Sequence, residues 1–337
     1  MKITHILLLI LYVGLAAIFT ACKPSVDNIQ VTDAPQYPVI ANEISNQQVN
    51  AFAEDAQGHI WIGTFRGLNK YDAYEFQQYY CTDDSLGPQD NQIKALLRDS
   101  KGQLWVSSVN GLSVYTDQDT FRHIPSDLIN RNGLQLLETR DGRILLNTVT
   151  SLGVYNPVTG RLEYAIRRLV PSGTYAAQCH IDADNRLWVA DPLSVRCYDS
   201  RNFVLQDSIP VKGYPTHYYY DSNGKLWLAG NQSLQIFDCH SRSFQPVPEV
   251  ISSHPVLSRF NVTLMHAYGK HGLLFNTDYD GLFYYDSQAN TVSRQGEQGF
   301  PFEVPDFNVS AFFTDSHQNL WIGSTDQGYA VAYRYKE

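Results

Sequence analysis

The sequence predicts an all-β protein, a single seven-bladed β-propeller of four-stranded antiparallel blades. Three observations carry this. A short segment recurs seven times, its tryptophan position falling at 61, 105, 145, 188, 227, 274 and 321; periods near 40 belong to propellers or solenoids. Each copy opens on alternating apolar and polar residues, such as Val49-Asn-Ala-Phe-Ala-Glu54, the two-residue period of a strand. Helical periodicity is absent after the N-terminal leader. Composition agrees: 337 residues, 43% hydrophobic and 18% charged, are too apolar for a disordered chain and too sparsely charged for a long coiled coil. The 25 Lys+Arg against 34 Asp+Glu give −9 with no basic run, so no nucleic-acid partner is expected.

The repeats follow in order. The first reads Asp55-Ala-Gln-Gly58-His-Ile-Trp61-Ile-Gly-Thr64, closed by Gly67-Leu-Asn-Lys-Tyr71-Asp72. The second runs from Asp99 through Gly102 and Trp105 to Gly111 and Tyr115, and a weaker third from Asp141-Gly142 through Leu145 to Tyr155. The fourth spans Asp182, Asn185, Trp188 and Tyr198; the fifth Asp221, Gly224, Trp227 and Phe237. The sixth is degraded, Gly272-Leu-Leu274 to Tyr285, and the seventh runs from Asp315 through Trp321 to Gly328 and Tyr333. Each copy supplies an alternating strand, an Asp-opened turn with Gly or Asn for a left-handed backbone, a Leu-Trp-Ile strand, a Gly-Leu-x-x-Tyr strand and a polar-apolar outer strand. That is the content of one propeller blade. The tryptophans read as wedges between blades. Tyr71, Tyr115, Tyr155, Tyr198, Tyr285 and Tyr333 share one repeated position and read as blade packing, which accounts for much of the 22-tyrosine content.

The seventh repeat stops after its third strand, and Gln36-Tyr-Pro-Val-Ile-Ala41 is strand-like with no partner of its own. This N-terminal strand is expected to complete the seventh blade and close the ring, making one domain over 36–337. Before it, Lys2 precedes an apolar run from Ile6 to Phe19 that is short for a membrane span. Ile18-Phe19-Thr20-Ala21-Cys22 resembles a bacterial lipobox, which implies a signal over 1–21, lipidation at Cys22 and a tether over 22–35. An ordinary signal peptide or an uncleaved anchor is the other reading. Lys23-Pro24-Ser25 lacks an acidic surface-export cluster, so a membrane-anchored, periplasm-facing lipoprotein is expected. Cys81, Cys179, Cys197 and Cys239 follow no disulfide spacing and read as free, buried thiols.

The Asp-x-x-Gly-x-Leu/Ile-Trp-Ile-Gly-Thr…Gly-Leu-x-x-Tyr-Asp pattern resembles the two-component regulator propeller repeat, over about residues 42–337. The resemblance implies the periplasmic sensor of a hybrid two-component system of Bacteroidetes type, here without sandwich, transmembrane or kinase parts. It implies a membrane-bound regulator or kinase as partner, and polysaccharide-related signals as ligands. Spacing separates other propellers: the sialidase Asp-box sets Trp five residues after Asp, whereas Asp55 to Trp61 is six. The virginiamycin B lyase propeller shares an Asp-x-x-Gly-x-x-Trp turn but continues Phe-Thr-Glu, where this chain has Ile-Gly, Val-Ser or Val-Ala.

No metal or cofactor is expected, because the ten histidines show no ligand spacing and no nucleophile elbow occurs. A calcium reading of Asp182-Ala-Asp184-Asn185 lacks further spaced oxygen ligands. Loops entering the innermost strands, and loops between second and third strands, converge on one channel mouth and are free of the repeat. The ligand-binding candidates there are Arg66, Asn110, Tyr175, Asp191, Tyr214, Asn231, Arg259, Asn261, Asp278, Tyr279, Asp280 and Asp326. Amides, carboxylates and arginines beside aromatics suit sugar hydroxyls and apolar sugar faces; the same residues also form ordinary solvated turns. The expected function is a non-catalytic extracytoplasmic sensor binding a glycan or a protein. The alternative is a propeller lyase or glycan hydrolase using Asp278, Asp280 or Asp326 with His180 or His217 at the mouth.

Overall fold

A computed structural model describes residues 39–41 (backbone only), 43–81, 86–116, 118–128, 132–170, 177–230, 233–258, 261–306 and 308–334. The expected signal, Cys22 and the tether lie outside these residues. Seven antiparallel sheets follow one another as seven blades, each, apart from the N-terminal strand Val39–Ala41, ordered by sequence from an innermost to an outermost strand. The innermost strands are Val49–Glu54, Ile93–Arg98, Gly133–Glu138, Gln178–Ile181, His217–Tyr220, Val262–Tyr268 and Val309–Thr314. The one helix among the described residues is a single turn, Glu249–Ser252, which places Ile251 in the core beside Trp227 and Phe283. It escapes a periodicity search because one turn shows no period. Among the described residues, no helix is long and apolar enough to cross a membrane.

The six-residue Asp-to-Trp spacing has a structural cause. The turn brings the indole N–H of each tryptophan onto the carboxylate that opens it. The pairs are Asp55–Trp61 and Asp99–Trp105 at 2.9 Å, Asp182–Trp188 at 2.8 Å, and Asp221–Trp227 and Asp315–Trp321 at 3.0 Å. The other carboxylate oxygen accepts two turn amides, Lys101 and Gln103 in the second blade. A buried indole donor is thereby satisfied by an ionised acceptor, the stronger kind of hydrogen bond. Blades three and six lose both partners together. Leu145 and Leu274 stand where the indole was, while Thr139 and Tyr268 stand at the carboxylate position. The third repeat's turn is therefore opened by Thr139 rather than Asp141, and its hydroxyl accepts the Arg143 N–H at 2.9 Å.

Between blades, four of the five tryptophans meet the repeated aromatic of the next blade edge-on, while Trp227 meets Phe275. Ring centroids lie 4.6 Å apart for Trp61–Tyr115, 5.0 Å for Trp105–Tyr155, 5.8 Å for Trp188–Phe237 and 6.0 Å for Trp321–Tyr71. Edge-to-face pairs add about 0.5–1.5 kcal/mol each beyond area burial. Tyr333 departs from the pattern. It is 62% exposed, while Tyr329 of the same blade stacks on Trp321 at 5.5 Å. Cys179, Cys197 and Cys239 are buried free thiols.

The seventh blade has three strands among the described residues, Val309–Thr314, Leu320–Ser324 and Tyr329–Ala332. The N-terminal strand Val39–Ala41 does not complete it. It pairs antiparallel with Phe76–Tyr79 and becomes a fifth, outermost strand of the first blade. The following segment explains why. The Ser45 N–H donates to Asn69 Oδ1 at 2.7 Å, and Gln78 Nε2 donates to the Glu43 carbonyl at 2.8 Å. Both bonds lead the chain across its own blade to that blade's outer edge. Closure rests on packing instead: Val49, Phe52 and Ile62 of the first blade share a core with Ala311 and Trp321 of the last. Ser310 Oγ donates to the Val49 carbonyl at 2.6 Å, and the Ser316 N–H and hydroxyl donate to the Glu54 carboxylate at 2.7 and 2.6 Å.

Candidate functional site

Antiparallel order puts the loops between second and third strands on the same face as the links entering each innermost strand. Backbone hydrogen bonds tie the two loop classes together at this mouth: Phe65 N–H to the Gln48 carbonyl, Val109 to Gln92, Asp278 to Asn261 and Thr325 to Asn308, at 2.9–3.1 Å. The mouth is therefore an ordered rim.

Most of its polar candidates are held within the rim. Asp191 is 1% exposed; it accepts the Leu193 and Ser194 amides and pairs with Arg196 at 2.5 Å. Asn261 donates its N–H and side-chain amide to the Asp278 carboxylate at 3.2 and 3.0 Å. Asp280 pairs with Arg294 at 3.0 Å, Asp326 accepts the Ser324 hydroxyl at 3.0 Å, and Asn110 donates to Asp90 at 2.6 Å. Such contacts restrain turn side chains and satisfy turn amides. The outward groups are Arg66 beside the exposed Phe65, Leu193, Tyr214, and Tyr279 at 80% exposure. Tyr214 takes a left-handed backbone, φ 52°, directly after Gly213 at φ 77°, which sets it on a tight turn in the link into blade five. Tyr175, Asn231 and Arg259 lie outside the described residues, as do the loop residues Asn130, Arg131, Phe260 and Phe307.

The three channel histidines separate. His217 begins its strand at the mouth, its Nδ1 within 3.0 Å of the Thr216 hydroxyl. Burial lowers its pKa, and the Asp278 charge opposes this only in part. His180 and His266 belong to the other end of the channel. Burial pulls each down to about 4, so both are neutral near pH 7. His180 stacks on Tyr220 with centroids 3.3 Å apart; His266 lies 2.9 Å from the Thr314 hydroxyl. Distance thus separates His180 from the mouth carboxylates with which the sequence associated it. Among the described residues no three of His, Cys, Asp and Glu gather as a metal-ligand group.

Sequence reasoning missed the face opposite the mouth, where the Asp-opened turns lie. Clefts of about 510, 210 and 470 Å³ open there between blades four and five, five and six, and six and seven. Side chains bond onto the Asp-opened turns, or their counterpart, across the other four boundaries on this face, whereas the cleft boundaries are joined elsewhere: Arg242 to Asp207 at 3.2 Å, and the Ala267 N–H to the Tyr219 hydroxyl and His266 to the Thr314 hydroxyl at 2.9 Å each. Ser100 donates its N–H and hydroxyl to Glu138 at 2.7 and 2.6 Å, and Ser316 does the same to Glu54. Arg98 reaches the Asp55 carbonyl at 2.9 Å, and Arg140 reaches the Asp182 carbonyl at 3.3 Å. The open boundaries place Ala183 against Tyr220, Ser222 against Ala267 and Gly269 against Thr314 at the latch positions. Their lack of both a Ser–Glu latch and an arginine reaching the neighbouring turn is the signal that reading each repeat separately could not show.

With this geometry in hand, comparison with known proteins is informative. Residues 43–66 and 87–110, within the first and second repeats, match the Two component regulator propeller family, so the chain carries that repeat. The extracellular domain of a hybrid two-component system from B. thetaiotaomicron superposes with TM-score 0.68 at 19% identity, covering 87% of this chain and 41% of that one. The extracellular domain of a one-component system from the same organism gives 0.67 at 17%, covering 86% and 42%. Virginiamycin B lyase from Staphylococcus aureus gives 0.64 at 12%, covering 87% and 97%. At these identities the likeness is one of fold. The chain spans about two fifths of the length of the two extracellular domains it resembles. No curated protein matches it significantly.

Proposed function

We propose that this chain is a non-catalytic, extracytoplasmic binding propeller, the ligand-facing part of a two-component sensor. The observation that carries this reading is the state of the mouth carboxylates. Asp191 is buried against Arg196, Asp278 is bonded to Asn261 and Asp280 is paired with Arg294. General acid–base chemistry needs a proton-transfer group free to face the substrate; these are fixed in place by cations and amides. The exposed Phe65, Tyr214 and Tyr279, with Arg66, offer flat apolar surface beside hydrogen-bond donors, a combination suited to a glycan or a protein loop. Tyr175, Asn231 and Arg259 are assigned to the same rim by their repeat position. The partner is a membrane-bound regulator or kinase, and lipidation at Cys22 holds the protein at the membrane facing the periplasm.

A second reading, a propeller lyase or hydrolase, draws support from one observation: the Asp278 charge acts on His217 at the mouth. One experiment separates the two. A glycan panel is added to the purified protein while melting temperature and product formation are followed together. A melting shift without product supports the binding propeller; turnover of any member refutes it.

A further inference from the structure

The three clefts opposite the mouth form one groove. The first and second share Asp221, Ser222 and Asn223, and the second and third share Ala267 and Gly269. The groove crosses three blade boundaries in succession, none of them, among the described residues, with a side-chain bond onto an Asp-opened turn or its counterpart. It is widest between blades four and five, whose innermost strands approach each other least around the ring.

Its charge runs against that of the chain. Of the acids in it, Asp182 and Asp184 both pair with Arg186, at 2.7 and 3.0 Å, while Asp221 accepts its own turn amides and the Trp227 indole. Arg140, Lys225, Lys270 and Arg334 line the same groove and form no ion pair among the described residues. An excess of unpaired cations therefore sits on a chain of net charge −9. Two further polar groups are uncommitted. The His180 ring and the Tyr220 hydroxyl have no hydrogen-bond partner among the described residues, although both line the largest cleft. Burial keeps His180 neutral, so it offers one donor and one acceptor.

We propose that this groove binds an anionic oligosaccharide, its carboxylates facing the four unpaired cations and its hydroxyls facing His180, Tyr220, Ser222 and Asn223. A saccharide is favoured over an acidic peptide because the lining sets its cations beside uncommitted hydroxyl and imidazole groups, which match the many hydroxyls of a sugar. Cleft volumes of about 510 and 470 Å³ fall within the range of small-ligand sites. The proposal rests on the reading of the chain as a binding propeller, and it moves the anionic ligand to the face opposite the mouth.

Calorimetric titration of the purified protein with a galacturonate tetramer tests it, alongside the methyl-esterified tetramer and tetraglutamate. The acidic tetramer binds and the esterified and peptide probes do not. Lys270→Ala with Arg334→Ala weakens binding by about tenfold or more, because exposed cation contacts each supply a modest share of affinity. Neither side chain forms an ion pair or hydrogen bond among the described residues, so the variant keeps the wild-type melting temperature. Arg66→Ala at the mouth leaves tetramer binding unchanged. Equal binding of the ester or of tetraglutamate, an unaffected double variant, or loss of tetramer binding in Arg66→Ala overturns the proposal. Binding of a neutral glycan that depends on Arg66, with no uptake of the acidic tetramer, overturns it while upholding the function proposed at the mouth.

Discussion

The Asp–Trp pair offers the sharpest test of how the repeat holds together. In the second blade, Asp99→Ala removes the acceptor of the Trp105 indole at 2.9 Å and of the Lys101 and Gln103 amides at 3.0 and 2.8 Å. Trp105 is 2% exposed, so its N–H is left in the core without a partner. A buried unsatisfied donor costs about 1–3 kcal/mol, and the two turn amides, which water can reach, about 1 kcal/mol together. Asp99→Ala should therefore destabilise by about 2–4 kcal/mol. Trp105→Phe removes the indole N–H and part of the ring, at a comparable cost. If the pair is the unit, the double variant costs less than the sum of the two, with a coupling energy of about 1.5–3 kcal/mol, the range of a hydrogen bond to a charged acceptor. Urea unfolding followed by tryptophan fluorescence and circular dichroism measures all three variants. Blade three supplies the control: it has no indole–carboxylate pair, and Thr139→Ala should cost only about 1 kcal/mol, the worth of a neutral hydrogen bond. A coupling energy below about 0.5 kcal/mol would refute the argument, leaving the six-residue spacing as turn geometry alone.

Three further outcomes follow from the same geometry. Glu54→Ala and Glu138→Ala should each lower stability by about 1–2 kcal/mol, as both remove a two-bond latch to a serine; urea midpoints that differ widely would show that ring closure depends on something other than the shared latch. His180 and His266 have folded pKa values near 4 against an ordinary 6.5, so the unfolded chain binds protons first on acidification. Stability is full above pH 6.5 and falls as pH drops from 6.5 to 4, by on the order of 3 kcal/mol per histidine; His266→Gln should flatten that slope, and an unchanged pH profile would sink the assignment. Asp119 accepts the Tyr79 and Tyr115 hydroxyls at 2.5 Å each and Gln77 Nε2 at 2.6 Å. Asp119→Asn keeps the shape but loses the charge on the acceptor, and should cost about 1–3 kcal/mol in urea unfolding, whereas no change would show the carboxylate to be incidental.

What could be read in the sequence was whatever repeats. The indole positions, the turn-opening aspartates and the shared tyrosines recur at near-constant offsets, and, Tyr333 apart, each takes the same place in its blade because the strand period dictates it. The closing strand was misplaced for a complementary reason. Gln36–Ala41 is strand-like, but strand character does not choose between two open edges. That choice is made by Asn69 and Gln78, polar residues of the first blade that bond to residues 43–45. The rim was legible only as a location. Asp191, Asp278 and Asp280 are carboxylates in unconstrained loops, yet their partners Arg196, Asn261 and Arg294 stand at positions whose residue type does not recur from copy to copy.

The face opposite the mouth shows where repeat reading stops. Ser100 and Glu138 stand 38 residues apart in neighbouring repeats, and Ser316 and Glu54 stand 262 apart. Aligning copies one beneath another hides such pairs, because each residue then looks like an ordinary variant at a variable position. Read across the boundary instead, the same positions divide the ring in two. From blade seven through blade four, side chains bond onto the Asp-opened turns or their counterpart across each boundary; from blade four to blade seven, among the described residues, they do not, and three clefts lie in that arc. A latch carboxylate at a boundary removes a cation-binding surface and closes the gap together. Where neither a latch carboxylate nor an arginine reaches the neighbouring turn, the turns stand apart, and the cations beside them keep their charge unpaired.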